Sequence, residues 1–213
     1  MNAIVRNPQA VEAVEPIPAP SSDMEVVVAR SLDDLMQVMS VRTLAFMGDQ
    51  SCPYDEEFDG NDFCGATHLL LKVRGEPAGT VRMRWFADFC KLERIALTRR
   101  FRGGKGSFAL IDAAADLARK KGYRKLLTYA QPRYIPLWQS GFKVAPAEGR
   151  PTFTFSDHEY VALEAELTPI DGAMHIEIDP FVLNRPEGDW DRPGVLDRSA
   201  DRPATNPMVR RAS

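Results

Sequence analysis

The chain has 213 residues, 44% hydrophobic and 27% charged, with a formal net charge of -3 at pH 7. That is the composition of a globular protein with one domain of about 150 residues plus tails, and the near-neutral charge argues against a nucleic-acid binder, which carries a basic face. No apolar run approaches the roughly 18–20 residues of a membrane helix, and the N-terminus holds Glu12, Glu15 and four prolines rather than a basic stretch followed by an apolar one. A cytoplasmic protein with no membrane partner is therefore expected.

Cys52, Cys64 and Cys90 are an odd set without CxxC spacing, so neither a disulfide framework nor a zinc site is supported, and no metal is expected. Cys64 and His68 are read as a buried thiol and a strand histidine. Proline marks the ends of the domain: four precede Asp23, six lie from Pro169 onward, and only six occupy the long middle. Residues 1–22 lack an apolar period and are expected to be a disordered tail, with the domain proper at 23–168. Residues 169–190 carry Ile176, Ile178, Phe181, Val182, Leu183 and Trp190, so this stretch should wrap the domain or a second subunit, which leaves a homodimer open. Residues 191–213 should stay flexible.

Within the domain, strand and helix signals alternate. Met24–Arg30 is a short β-branched strand, and Ser31 caps a helix carrying Leu32, Leu35, Val38, Met39 and Arg42 on a 3.6-residue period. An acidic stretch, YDEEFDGNDFCG, leads to Thr67–Val73, an apolar buried strand. In the next strand, Gly79–Phe86, Val81, Met83 and Trp85 alternate with Arg82 and Arg84, and a turn near Ala87 leads into Phe89–Leu97. Phe108–Lys121 is an amphipathic helix closed by Gly122, Lys125–Ala130 a strand, and Pro132–Ser140 a short helix. Further strands are expected from Gly141 and over Glu159–Glu166. The sum is an α/β domain with a mixed sheet.

Between the Phe89–Leu97 strand and the amphipathic helix lies TRRFRGGKGS. Gly103, Gly104 and Gly106 allow a tight turn, the amides opening a helix face outward, and Arg99, Arg100, Arg102 and Lys105 put four cations within seven residues. The loop reads equally as a pyrophosphate cradle or as a basic solvated turn. It is neither a Walker loop nor a dinucleotide fingerprint.

With LERIALTRRFRGGKGSFALIDAAADLARKKGYRKLLTYAQPRYIPLWQSGF set in this order of elements, the chain resembles the GNAT superfamily of acyl-coenzyme A N-acyltransferases from about Glu25 to Leu167. VRTLAF, DEEFDGNDF, ATHLLL and AGTVRMRWF are similar to its small acetyltransferases and also to acyl-homoserine-lactone and N-acyl amino acid synthases. In the synthases Arg, Phe, a spaced acidic pair, Arg and Glu fall where Arg42, Phe46, Asp59, Asp62, Arg82 and Glu93 stand here. The synthases space Glu and Arg by two residues, whereas Glu93 and Arg94 are adjacent.

The resemblance implies a mixed, mostly antiparallel central sheet flanked by helices and splayed between its fourth and fifth strands. It implies transfer of an acetyl group from acetyl-coenzyme A to a small-molecule amine or a protein amino group, without a metal. Alternatives are a longer-chain synthase fed by acyl-coenzyme A or an acyl carrier protein, and a non-catalytic relative that binds a ligand. By the same resemblance Glu93 is the general base, the amides of Ile95 and Leu97 meet pantetheine, and Arg102, Gly103, Gly104, Lys105, Gly106 and Ser107 hold the pyrophosphate. Fitted without gaps from Arg102, the family's phosphate motif places Lys105 and Ser107 at its glycine positions. Gln131 bonds pantetheine, or caps the helix after Pro132. Asp59, Asp62 and Arg82 meet the acceptor, or form a structural ion pair. The family's acid tyrosine falls on Leu137 or Trp138; the nearby phenols are Tyr134 and Tyr129, and Tyr134, one turn before Leu137, is taken as the candidate acid.

Overall fold

A computed structural model describes residues 24–142 and 144–199. The expected tail at 1–22 and residues 200–213 lie outside the described residues. The elements are β1 (Met24–Val28), α1 (Leu32–Arg42) continuing into a wider π-helical turn (Thr43–Gly48), α2 (Tyr54–Glu57), β2 (Thr67–Val73), β3 (Glu76–Trp85), β4 (Cys90–Leu97), α3 (Gly106–Lys120) and β5 (Lys125–Ala130). Then follow α4 (Ile135–Gly141), β6 (Ala145–Pro146), β7 (Phe153–Phe155), β8 (His158–Glu166) and α5 (Pro180–Leu183).

The strands form a sheet in the order β1-β2-β3-β4-β5-β8-β6, with β7 on β8. Every pairing is antiparallel except β4 with β5, which is parallel. That pair joins only Cys90–Leu92 to Leu126–Thr128, and beyond Leu92 the two strands part. The expected splay is thus present, and it opens a fork in the middle of the sheet.

Helix α1 starts where Ser31 accepts from the Asp34 amide and Asp34 accepts in return from the Ser31 amide, a reciprocal cap worth about 1 kcal/mol. Alternation along β3 sends Val81 and Met83 into the main core with Leu69, Leu71, Cys90, Leu92 and the α3 residues Leu110, Ala114 and Leu117. The other face of the sheet meets α1 and the π turn through a smaller cluster that contains Val41, Ala45, Phe46, Ala96 and Phe155.

Two expectations change here. A strand does not start at Gly141. Helix α4 runs through that residue, whose missing Cβ would lie 2.6 Å from the Phe108 ring, and β6 is two residues long. Cys64 is exposed, not buried; the buried thiols are Cys52 and Cys90, and burial pushes Cys90 up to about 12.

After β8 the chain turns back over the end of α3. The Met174 amide donates to the Lys120 carbonyl at 2.8 Å, and Trp190 packs on the main core. Glu187 accepts from Thr67 at 2.7 Å and pairs with Lys121 at 3.0 Å, while Asp189 pairs with Arg30 at 2.6 Å. Ile176, read from sequence as a docking residue, is 95% exposed. Up to Ser199 the stretch is tied in by Asp197, which pairs with Arg185 at 2.8 Å. No helix among the described residues is long and apolar enough to cross a membrane.

Candidate active site

The fork owes its shape to one extra residue in β4. Across β3 and β4, Thr80 faces Ala96 and Arg82 faces Glu93, so one residue of β3 opposes two of β4. Arg94 takes up the excess as a bulge with φ of 54°, a left-handed conformation that costs a side-chain-bearing residue roughly 1–2 kcal/mol. The bulge turns Glu93 and Arg94 toward a cleft of about 710 Å³ that opens between the parted strands.

Ten of the residues singled out from sequence line this one cleft: Asp59, Glu93, Ile95, Leu97, Arg102, Gly103, Gly104, Ser107, Gln131 and Tyr134. Asp62, Arg82, Lys105 and Gly106 do not. Lys105 is exposed at the N-cap of α3. Gly106 is buried, and a Cβ there would stand 2.7 Å from Leu97 and 2.9 Å from Leu71, so glycine lets the helix start against the sheet.

Behind Glu93 lies a buried ion network. Arg82 is fully buried and donates to both Asp59 oxygens at 2.7 and 2.8 Å, to Asp62 at 2.8 Å and to Glu93 at 2.9 Å. Asp62 also accepts from Arg42, itself fully buried, which donates through Nε to Glu57 at 2.5 Å. His68 is buried here as well; burial holds its pKa down, and its neutral ring bonds the Asp62 carbonyl through Nε2. With its guanidinium enclosed by carboxylates, Arg82 is a strut for Glu93 and Asp59. Asp59, whose side chain is 28% exposed, is the acidic member that also faces the cleft. Bonds from Arg82 and the Asn61 amide and the nearby Arg94 charge outweigh desolvation and hold the Asp59 carboxyl far below the usual carboxylate range. The opposite balance holds at Glu57, where burial dominates and pushes the pKa up.

Sequence reasoning did not find Arg42–Glu57 as a pair, because residues of two separate helices, α1 and α2, fifteen positions apart leave no periodic trace.

At the far end of the cleft the loop before α3 turns at Gly103, which has φ of 79°, and a Cβ on Gly103 or Gly104 would meet nothing within 4 Å. The first-turn amides of α3 have no acceptor inside the helix, which makes this end receptive to an anion. Arg99 and Arg102 converge on the carboxylate of Asp49, at 2.9 and 2.6 Å, and Arg102 is steadied by the Leu97 carbonyl at 3.0 Å. These contacts show that the two guanidiniums can share an anionic group at the cleft rim, so the loop suits a phosphate.

The cleft also holds three phenols. Tyr134 is 45% exposed, while Tyr129 and Tyr160 sit deeper. Tyr160, in β8, was not signalled by the sequence; its Oη accepts from Gln131 Nε2 at 3.1 Å, and burial raises its pKa. Gln131 therefore braces Tyr160 rather than capping the helical turn after Pro132, where its side chain makes no cap bond. Leu137 and Trp138 line the cleft as apolar walls.

Residues 35–142 match the family model described as the acetyltransferase (GNAT) family. A Bacillus subtilis protein that carries a provisional acetyltransferase name is 27% identical over 128 residues, covering 59% of this chain and 87% of that protein. An acyl-CoA N-acyltransferase from Pseudomonas aeruginosa has a similar fold, with TM-score 0.59 at 19% identity over 67% of this chain and 97% of its own. So does a GNAT acetyltransferase from Elizabethkingia anophelis, solved with acetyl-CoA bound, with TM-score 0.52 at 13% identity over 69% of this chain and 100% of its own. The family match spans half of the chain and contains the fork, the bulge and the basic loop, and on that basis the protein belongs to the GNAT acetyltransferase family.

Proposed function

We propose that the chain moves an acetyl group from acetyl-coenzyme A to a primary amine by direct attack, in the cytoplasm. The observation that carries this reading is the placing of Glu93 on one wall of the cleft while the Arg102 loop closes its other end. In this reading Arg102, with Gly103, Gly104 and Ser107, holds the pyrophosphate, and Lys105 and Gly106 shape the turn. Ile95 and Leu97, at the parted edge of β4, offer backbone groups to pantetheine. The likeness in fold to an acetyltransferase holding acetyl-CoA supports the donor.

The acceptor nitrogen attacks the thioester carbonyl carbon, the C–S bond breaks, and the thiolate leaves. Glu93 takes the proton of the attacking amine, directly or through one water. Tyr134 is the phenol assigned to the departing sulfur. The thiolate, with a pKa of about 8–9, needs little help to leave. Arg82 and Asp62 position the Glu93 and Asp59 carboxylates, and Asp59 faces the incoming ammonium group.

Replacing Glu93 by Gln keeps the side-chain size and the Arg82 contact but removes the base. Turnover should fall by about 10²–10⁴-fold with acetyl-coenzyme A affinity retained. An unchanged kcat with an unchanged pH profile would remove Glu93 from the chemistry.

A further inference from the structure

The acceptor end of the cleft carries a charge pattern that amine transfer alone does not require. Arg84 of β3 and Lys91 of β4 stand directly opposite in the strand register, a placement in which like charges repel. Both line the cleft, with side chains 27% and 23% exposed. Both lean on the same carboxylate: Lys91 Nζ is 2.5 Å and Arg84 Nε 3.9 Å from Glu93, which already serves Arg82 at 2.8 Å. Among the described residues the ion-paired network contains Arg42, Arg82, Arg84, Lys91 and Arg94 against Glu57, Asp59, Asp62 and Glu93, one cation more than its carboxylates. Arg42, Arg82, Arg94 and Lys91 each have a carboxylate within 3.1 Å, whereas Arg84 stands 3.9 Å from Glu93, so the least-matched positive charge falls on the cleft wall at Arg84, beside Lys91.

Beside them stands an aromatic wall. Lys91 Nζ lies 5.6 Å from the Tyr129 ring, which meets Phe153 edge-on at 4.9 Å, and Phe153 stacks on Tyr160 at 5.5 Å. Phe153 is 42% exposed, and all three rings line the cleft.

Building on the amine-transfer reading, we infer that the acceptor is an α-amino acid with an apolar or aromatic side chain, its carboxylate seated between Arg84 and Lys91. Its nitrogen then lies toward Glu93 and Asp59, and its side chain rests on Tyr129 and Phe153. The incoming carboxylate relieves the Arg84–Lys91 repulsion and takes over Lys91, which frees one Glu93 oxygen for the proton of the amine.

The test uses the full chain with acetyl-coenzyme A, following release of the free thiol, with three acceptors that share one ring: phenylalanine, phenylalaninamide and phenethylamine. Phenylalanine should be preferred in kcat/KM by about tenfold or more over both analogues. Arg84→Gln and Arg84→Ala should each raise KM for phenylalanine by about tenfold and leave that for the two analogues within about twofold. Equal use of all three acceptors by the wild-type protein, or variants that weaken all three alike, would overturn the inference and leave amine transfer standing. Acetyl-coenzyme A binding without transfer to any of the three, or to other primary amines, would overturn both. The wild-type acceptor comparison decides the matter even where a variant fails to fold.

Discussion

At the residue scale, the site depends on charges that would be costly if left alone. Arg42 and Arg82 are fully buried and each is surrounded by carboxylates, so the network is sound only when complete. Removing one partner from a buried pair leaves an uncompensated charge, and Arg42→Ala should destabilise the fold by about 3–5 kcal/mol in denaturant unfolding. A loss below about 1 kcal/mol would mean that water reaches Glu57 and Asp62 and that the network is not a strut. Part of this was legible from sequence: alternation along β3 put Arg82 and Arg84 on the face opposite the core, and Glu93 and Asp59 both reach the cleft. The missed part is long-range. Nothing local says that Arg42 of α1 and Arg82 of β3 meet on one Asp62 oxygen, a contact that goes with the ion-pair reading of Asp59, Asp62 and Arg82, one of the two the sequence left open.

Elements with a clear period were readable, and those set by tertiary contact were not. The strands expected at 67–73, 89–97 and 125–130 match to within one residue, and the helix expected over Phe108–Lys121 from its 3.6-residue spacing and Gly122 starts two residues earlier, at Gly106. The β7–β8 hairpin escaped because its two-residue turn is Ser156-Asp157, with φ of 48° and 59°, where Asn-Gly would have announced the same mirror-image turn. The Arg94 bulge is equally silent, since it arises from pairing across β3 and β4. The π turn after α1 matters to the loop, for its C-cap residue is Asp49. Asp49 now occupies Arg99 and Arg102 and would compete with a phosphate for them. Asp49→Asn should therefore tighten acetyl-coenzyme A binding by about threefold, measured by calorimetry. Weaker binding would show instead that Asp49 pre-positions the two arginines.

At the scale of the whole molecule, the cleft and the C-terminal stretch occupy separate parts of the fold. Among the described residues none that lines the cleft lies beyond Tyr160, whereas the stretch after Thr168 covers the end of α3 and the β1–β2 edge. Ending the chain after Thr168 removes Trp190 from the core and the Glu187 and Asp189 contacts. Stability should fall by about 2 kcal/mol, and Tm by roughly 5 °C, with acetyl-coenzyme A affinity unchanged. A loss of affinity would tie the stretch to the site. Composition and proline placement told from sequence that this segment is distinct, but Ile176 shows that apolar character alone does not say which of its residues dock. The most direct measurement for the molecule is a thermal melt of wild-type protein and of Arg102→Ala against increasing acetyl-coenzyme A, since a ligand that binds only the folded form raises the midpoint. A working cleft gives a saturable rise for the wild type, reduced by salt and needing about tenfold more ligand in the variant. No rise up to about millimolar acetyl-coenzyme A, where even weak folded-state binding would show, would contradict an acetyl-coenzyme A-dependent enzyme.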